Sequence, residues 1–444
     1  MSFNEIVQIL YRGVSLFYIY LGCRMKVKTE ISAVSPVILD CGSGYTKMGI
    51  AGTSGPSHVI PTVLYREGRE SASALSSNGI FTLSSSAGVR PLTCIGNDAI
   101  RESIADVSGS TKPIIDGRVN DWSDLELFLS QCYSDYLRID PRDRPCILTE
   151  PPLNPASNRE KLAEVMFETF GVPCMHIGVQ AVLALYAYWD GKSSVTGTVV
   201  DSGDGVTHVI PVTDGYVSGS AVREIPIAGK DVTRVISDAL QARREVVVDC
   251  PEMAVALNRL SKQVKEKLTY VCSDPIREFK IFDASKHSLF KKINWTDPRS
   301  PGLQKECDIG YEQFLAPEVF FQPSLVSNTV SMSLPMIVVE SVQASPIDYR
   351  RGLYGNIVLS GGSTLFTNFN RRLEHDIKSI LNPTGGPSIC VKSNPETQRF
   401  AVWHGASTLS QTPSFASQLI SRKDYEEIGP SIARNTAITR CVGL

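Results

Sequence analysis

Short β-branched runs that end abruptly at glycine set the pattern of this chain. Val37-Ile38-Leu39 enters Asp40-Cys41-Gly42-Ser43-Gly44 and leaves through Tyr45-Thr46-Lys47. Thr198-Val199-Val200 enters Asp201-Ser202-Gly203-Asp204-Gly205 and leaves through Val206-Thr207-His208. An apolar run, a turn with glycines at alternate positions and a second run predict a hairpin whose tip is bare backbone. Ile357-Val358-Leu359-Ser360 likewise runs into Gly361-Gly362-Ser363-Thr364, predicting a strand, a glycine turn and a helix continuing through Phe369 to Leu373.

Between these turns, strands alternate with helical periods. Ile147-Leu148-Thr149 reads as a buried strand ended by Glu150-Pro151-Pro152. A helix capped by Asn158 follows, with Leu162, Val165, Met166, Thr169 and Phe170 on one face and a stop at Gly171. Val179 to Tyr186 is almost wholly apolar, which predicts a helix buried between layers, with Gln180 as its lone polar group. Trp122 to Leu129, capped by Asp121 or Ser123, and 254–271, with Leu257, Leu260, Val264, Leu268 and Val271 on one stripe, also have helical spacing. Residues 283–306 read as a loop-rich insertion, and Asp424 to Pro430 as a tail ending in a turn. Strand then helix, repeated, is the signature of α/β layers.

Composition narrows the classes. The 444 residues suggest two to three domains, and 42% hydrophobic with 20% charged residues is ordinary for a globular chain. A net charge of −2 without a basic block argues against nucleic acid as a partner. Eleven cysteines without a C-x-x-C pair point to reduced thiols in a cytosolic protein, and six histidines lack metal-ligand spacing. Gly13 to Cys23 is uncharged and apolar but too short to span a membrane; residues 1–34 read as an extension outside the fold, with Met25 as the expected start. Serines crowd residues 66–90, which reads as a mobile loop.

The two hairpins share the pattern D-x-G-x-G-x-T-[K/H], and their aspartates lie 161 positions apart (201 − 40). Glycines let successive N–H groups approach an anion closely. Flanking aspartates suit phosphate only with a divalent cation between them. One such turn is an ordinary hairpin; two at domain-sized separation predict a duplicated fold closing on a shared nucleotide. Lys47 would then return its ammonium to the phosphates, where a lone strand lysine would be merely solvated. Gln180 is by default a satisfied core amide, with a site role if its helix end faces the second loop. Lys265 and Glu266 would flank a groove, or simply edge a solvated helix. Gly361-Gly362 allows close approach of a flat ring.

These motifs, together with Leu148-Thr149-Glu150-Pro151-Pro152-Leu153-Asn154 and Trp403, are similar in order and spacing to the actin family over about residues 35–432. Within it they are closer to an actin-related branch than to conventional actin. The resemblance implies an actin-like ATPase fold of two α/β lobes in four subdomains, with Mg-ATP in the cleft. The first lobe would comprise 35–187 and 400–444, with a small subdomain at about 61–98; the second would be 188–399, with a small subdomain at about 228–317. Ser43, Gly44, Lys47, Asp204, Gly205 and Val206 would contact phosphate, with Gly42, Tyr45 and Gly203 in the same loops. Asp40 and Asp201 would hold magnesium through water. Lys265 and Glu266 would line the adenosine pocket opposite Gly361, Gly362, Ser363 and Phe366, with Arg399 closing it. Gln180 and His208 would position the attacking water, beside Asp201.

The implied role is structural, with at most slow hydrolysis: a cytoplasmic, cytoskeletal subunit that nucleates actin together with a second actin-related protein, other subunits and nucleation-promoting factors. A divergent conventional actin, or a sugar kinase or chaperone ATPase with the same duplicated loops, are the alternatives. Three departures stand out. Asp116 replaces the histidine that senses phosphate release in conventional actins. The serine-rich stretch replaces the segment that actins insert into a neighbour, which puts self-polymerisation in doubt. Trp403-His404-Gly405-Ala406 differs from the usual W-x-G-G by one methyl.

Overall fold

The computed structural model describes residues 34–67, 93–105, 109–285, 287–300, 304–327, 330–381 and 386–435. The extension up to residue 33 and the serine-rich stretch from 68 onward lie outside the described residues.

Two sheets of the same plan form the frame. The first contains β1 (Val37–Cys41), β2 (Tyr45–Ile50), β3 (His58–Pro61), β4 (Cys146–Glu150) and β5 (Cys174–Val179), in the order β3-β2-β1-β4-β5, with Ile420–Ser421 added beside β5. The second contains β6 (Gly197–Ser202), β7 (Thr207–Thr213), β8 (Tyr216–Val217), β9 (Ile357–Ser360) and β10 (Val391–Lys392), in the order β8-β7-β6-β9-β10. In each, the first three strands run antiparallel and the next two add in parallel. The duplication suggested by two matching loops is therefore a duplication of the whole sheet.

The central strands read as unbroken apolar runs because both faces are covered. Val37 and Leu39 enter one core with Phe128, Met166 and Phe167, whereas Ile38, pointing the other way, meets Leu183 and Trp403. In the second sheet Val200 and Leu359 face one core, and Val199 and Val358 the other.

The apolar helix Gln180–Tyr186 lies between the sheets, as its composition requires. Leu183 packs toward the first sheet's core, while Ala181, Val182, Ala184 and Leu185 pack toward Val199 and Ile210 of the second. The helix Ala401–Ser410 crosses it, and a Cβ on Gly405 would lie 1.6 Å from the Leu183 carbonyl oxygen, so only glycine allows this approach. The Ala406 methyl is fully buried without conflict.

Several local expectations are corrected. Asn158 is not a cap: the helix Ala156–Glu164 starts after Pro155, and Asn158 donates to Asn154 Oδ1 instead. That helix loosens into π-type turns over Val165–Thr169, which rotates Phe167 into the core and Thr169 outward before Gly171 ends it at φ +69°. The 254–271 helix is Pro251–Lys267, so Val271 is buried beyond its end. Residues 283–306 are not mainly loop: Lys291–Thr296 pairs with Gln304–Ile309, burying Ile293 and Trp295 while Lys292 and Glu306 pair outside. The tail from Asp424 to Pro430 is largely helical: Ser421 and Asp424 form a capping box on the helix Arg422–Ile428, which ends at Gly429 with φ +81°. Asp121 does cap Trp122–Gln131, accepting from the N–H groups of Ser123 and Asp124. Among the described residues no helix is long and apolar enough to cross a membrane.

Candidate functional site

The two glycine tips face each other. Each closes the same way: Gly42 N–H donates to Tyr45 O at 3.2 Å, and Gly203 N–H to Val206 O at 3.4 Å. Strand register makes the copies equivalent in position, because Asp40 stands opposite Lys47 as Asp201 stands opposite His208. A Cβ on Gly44 would lie 2.9 Å from Asp204 Cβ, so the tips meet at van der Waals distance.

On the first tip, Lys47 Nζ sits 2.9 Å from Asp40 Oδ2. Burial works against the ammonium, but Asp40 and then Asp201 outweigh it and hold Lys47 above the ordinary lysine range. Asp40, almost fully buried, also accepts from Thr149 Oγ1 at 2.7 Å on its other oxygen. Gln180 Nε2 reaches that threonine hydroxyl at 3.5 Å, which ties the start of the interlobe helix to the first loop. Burial and Asp40 push the Cys41 thiol up to about 12, so it stays protonated. Ser43 Oγ accepts from Gly117 N–H at 2.7 Å.

On the second tip, Gly203 O accepts from Ser363 Oγ at 2.6 Å and from Gly229 N–H at 3.1 Å. Lys265 Nζ donates to Gly229 O at 2.9 Å and lies 3.5 Å from Asp204 Oδ1. Burial pulls its ammonium down, and Asp204 offsets this only in part. Gly229 is where these lines converge, since a Cβ there would meet Ser363 Oγ at 2.7 Å and Lys265 Nζ at 3.1 Å. His208 is buried, with Nε2 3.6 Å from Glu224 Oε2.

The third glycine turn lies against the second. Gly361 has φ +89°, and a Cβ on it would stand 2.3 Å from Ser202 O. Gly362 and Gly203 have open space around theirs. The turn is a short 3-10 segment, Gly362–Thr364, rather than the start of the next helix, which begins separately at Phe369. Phe366 is half-buried, with its ring 6.3 Å from that of Phe320. Arg399 and Glu266 are exposed at the cleft mouth, and both charges are felt by Tyr45: burial, Glu266 and Asp204 raise its phenol, and Arg399 opposes them.

The three glycine turns thus gather from both halves of the chain with Asp40, Lys47, Gln180 and Lys265, whereas Phe366 packs on Phe320 and His208 lies beside Glu224. The reading of the sequence missed Gln398, whose Nε2 donates to Thr364 O at 2.8 Å and holds the third turn. It also missed Lys230, 2.6 Å from Asp116 Oδ1. The only signal for Lys230 was the glycine before it at a strand-to-helix turn.

Two equivalent sheets, each presenting a glycine hairpin to a shared cleft, define the class of two-lobed actin-like folds. The sequence matches the actin family over residues 31–437. It is 43% identical to Actin-related protein 3 of Schizosaccharomyces pombe, covering 91% of this chain and 97% of the relative. Identity is 42% with Actin-related protein 3 of Dictyostelium discoideum (92% and 98% covered) and 41% with that of Saccharomyces cerevisiae (91% and 98%). The chain belongs to the actin family, and within it to the branch of these actin-related protein 3 relatives.

Proposed function

We propose that this chain is the ATP-binding actin-related subunit of an assembly built with actin-related protein 2 and further smaller subunits, which nucleates branched actin filaments by mimicking a filament end. The observation that carries the nucleotide part is the equivalent register of Asp40–Lys47 and Asp201–His208 on two glycine tips that touch. The relatives' name supports the assembly part.

The residues fit the group. Gly203 and Gly362 leave open space beside backbone N–H donors, and Lys47 and Lys265 supply charge. Asp40 and Asp201 are oxygen donors suited to a hard cation that keeps its waters. Bound Mg²⁺ would neutralise phosphate charge. Ser43, Gly44, Lys47, Asp204, Gly205 and Val206 would grip the phosphates; Lys265, Glu266, Gly361, Gly362, Ser363, Phe366 and Arg399 would hold the adenosine. Gln180, steadied through Thr149 and Asp40, and His208 would orient a water, so hydrolysis depends on positioning and is slow. The first lobe is 35–187 with 400–444, and the second 188–399. ATP here sets lobe closure, and the work is done in the cytoplasm, at the cell cortex and in actin-rich projections, with actin and nucleation-promoting factors as partners.

The test is gentle isolation of the tagged chain from its native cell, followed by measurement of the mass and composition of what accompanies it. A stable assembly with a second actin-like chain and several smaller subunits is the expected result. A monomer, or a chain bound only to itself, would overturn the proposal.

A further inference from the structure

Asp116 and Gly117 form the two-residue tip of a small hairpin, Ile114–Ile115 with Arg118–Val119, and both have positive φ (47° and 76°), as a tight hairpin turn requires. This tip enters the cleft between the two phosphate loops. Gly117 N–H reaches Ser43 on the first loop, and a Cβ on Gly205 of the second would stand 2.9 Å from Asp116 Oδ1. From there Asp116 pairs with Lys230 at 2.6 Å. Lys230 stands at the start of the second-lobe helix Gly229–Ala242, and its own N–H donates to Asp204 O at 2.9 Å. The hairpin belongs to the first half of the chain and the helix to the second, so the ion pair spans the cleft. At another point Arg259 Nη2 reaches the Ile100 carbonyl at 3.3 Å, a longer contact without a charged acceptor. Lys230 is not among the residues proposed above to hold phosphate or adenosine.

We propose that the Asp116–Lys230 pair is a latch between the two lobes that slows departure of the nucleotide. The inference rests on the nucleotide-cleft reading. The 2.6 Å contact joins the two lobes, so an opening wider than the flexible lysine stem can follow must break it. Both side chains are about half exposed (42% and 49%), which limits the effect to about 1.5- to 5-fold in rate. Asp116 is thus more than the loss of a histidine: it acquires a cationic partner in the other lobe.

The test uses the full chain in its native assembly loaded with etheno-ATP, chased with excess ATP, with dissociation followed by fluorescence. Asp116→Asn and Lys230→Gln should each release the probe up to about 5-fold faster. The charge-exchanged double variant, Asp116→Lys with Lys230→Asp, should return toward the wild-type rate, which a variant damaged in folding would not do. High salt should erase the difference between wild type and single variants. Single variants that match wild type, or a double variant faster than either, would overturn the latch. A wild-type chain that never binds the probe would instead sink the nucleotide-cleft reading, and the latch with it.

Discussion

His176, on β5, is 6% exposed, with Phe415 edge-on at 5.8 Å and its Nδ1 3.4 Å from Gln418 O. Burial lowers its imidazole to about 4, with the Gln418 contact opposing. Because the folded value lies below the unfolded one, the neutral ring is the folded form. The unfolded chain alone takes up the proton as pH falls below about 6.5, so stability is full above that value and drains between 6.5 and 4. Between pH 7 and pH 5 the loss should be about 2 kcal/mol. Urea unfolding at the two pH values measures it, and His176→Gln should remove most of that slope; an unchanged slope would mean that the ring is protonated inside the fold. The same scale explains what was readable. Asp40 and Lys47 are seven residues apart across a hairpin, so local spacing pairs them. Lys230 and Asp116 are 114 residues apart, and no local pattern connects them.

At the scale of elements, the crossing of Gln180–Tyr186 by Ala401–Ser410 carries the contact between the sheets. Gly405→Ala would force a methyl onto the Leu183 carbonyl at 1.6 Å, and backbone cannot yield as a side-chain tip would. The variant should lose at least about 3 kcal/mol or fail to fold. Gly55→Ala, with open space around its Cβ, should stay within about 0.5 kcal/mol of wild type. Thermal melts of the two variants side by side provide the check, and a wild-type melt for Gly405→Ala would show that the helices separate at no cost. The apolar helix was legible because covering both faces leaves no room for polar residues. The Lys291–Thr296 and Gln304–Ile309 hairpin was not, because charged residues on its open face mask a strict alternation with Ile293, Trp295, Cys307 and Ile309 inside.

For the whole molecule, a ligand seated between two lobes stabilises both. ATP with Mg²⁺ at 100 times its Kd should add about 2.7 kcal/mol. For a chain of 444 residues that corresponds to a rise of about 3 °C in Tm. Chelation of the divalent cation should shrink the shift, and Lys47→Ala should nearly abolish it. Scanning fluorimetry with and without nucleotide reads it; no shift in the wild type would deny that the cleft is the site.

Local rules are written in the sequence, and they determined the two glycine hairpins, the aspartate at the end of each leading strand, the sandwiched helix and the duplication itself. Each hairpin and helix depends on residues within about ten positions of one another, where turn chemistry and periodicity act directly, and the duplication shows as the same local pattern repeated 161 positions on (201 − 40). Only the tertiary structure decided that the two tips touch, that Gly361 must be glycine, and that Asp116 meets Lys230. Those facts depend on how two sheets, whose contacting tips lie more than a hundred residues apart in the chain, are set against a common helix, and packing alone fixes that distance.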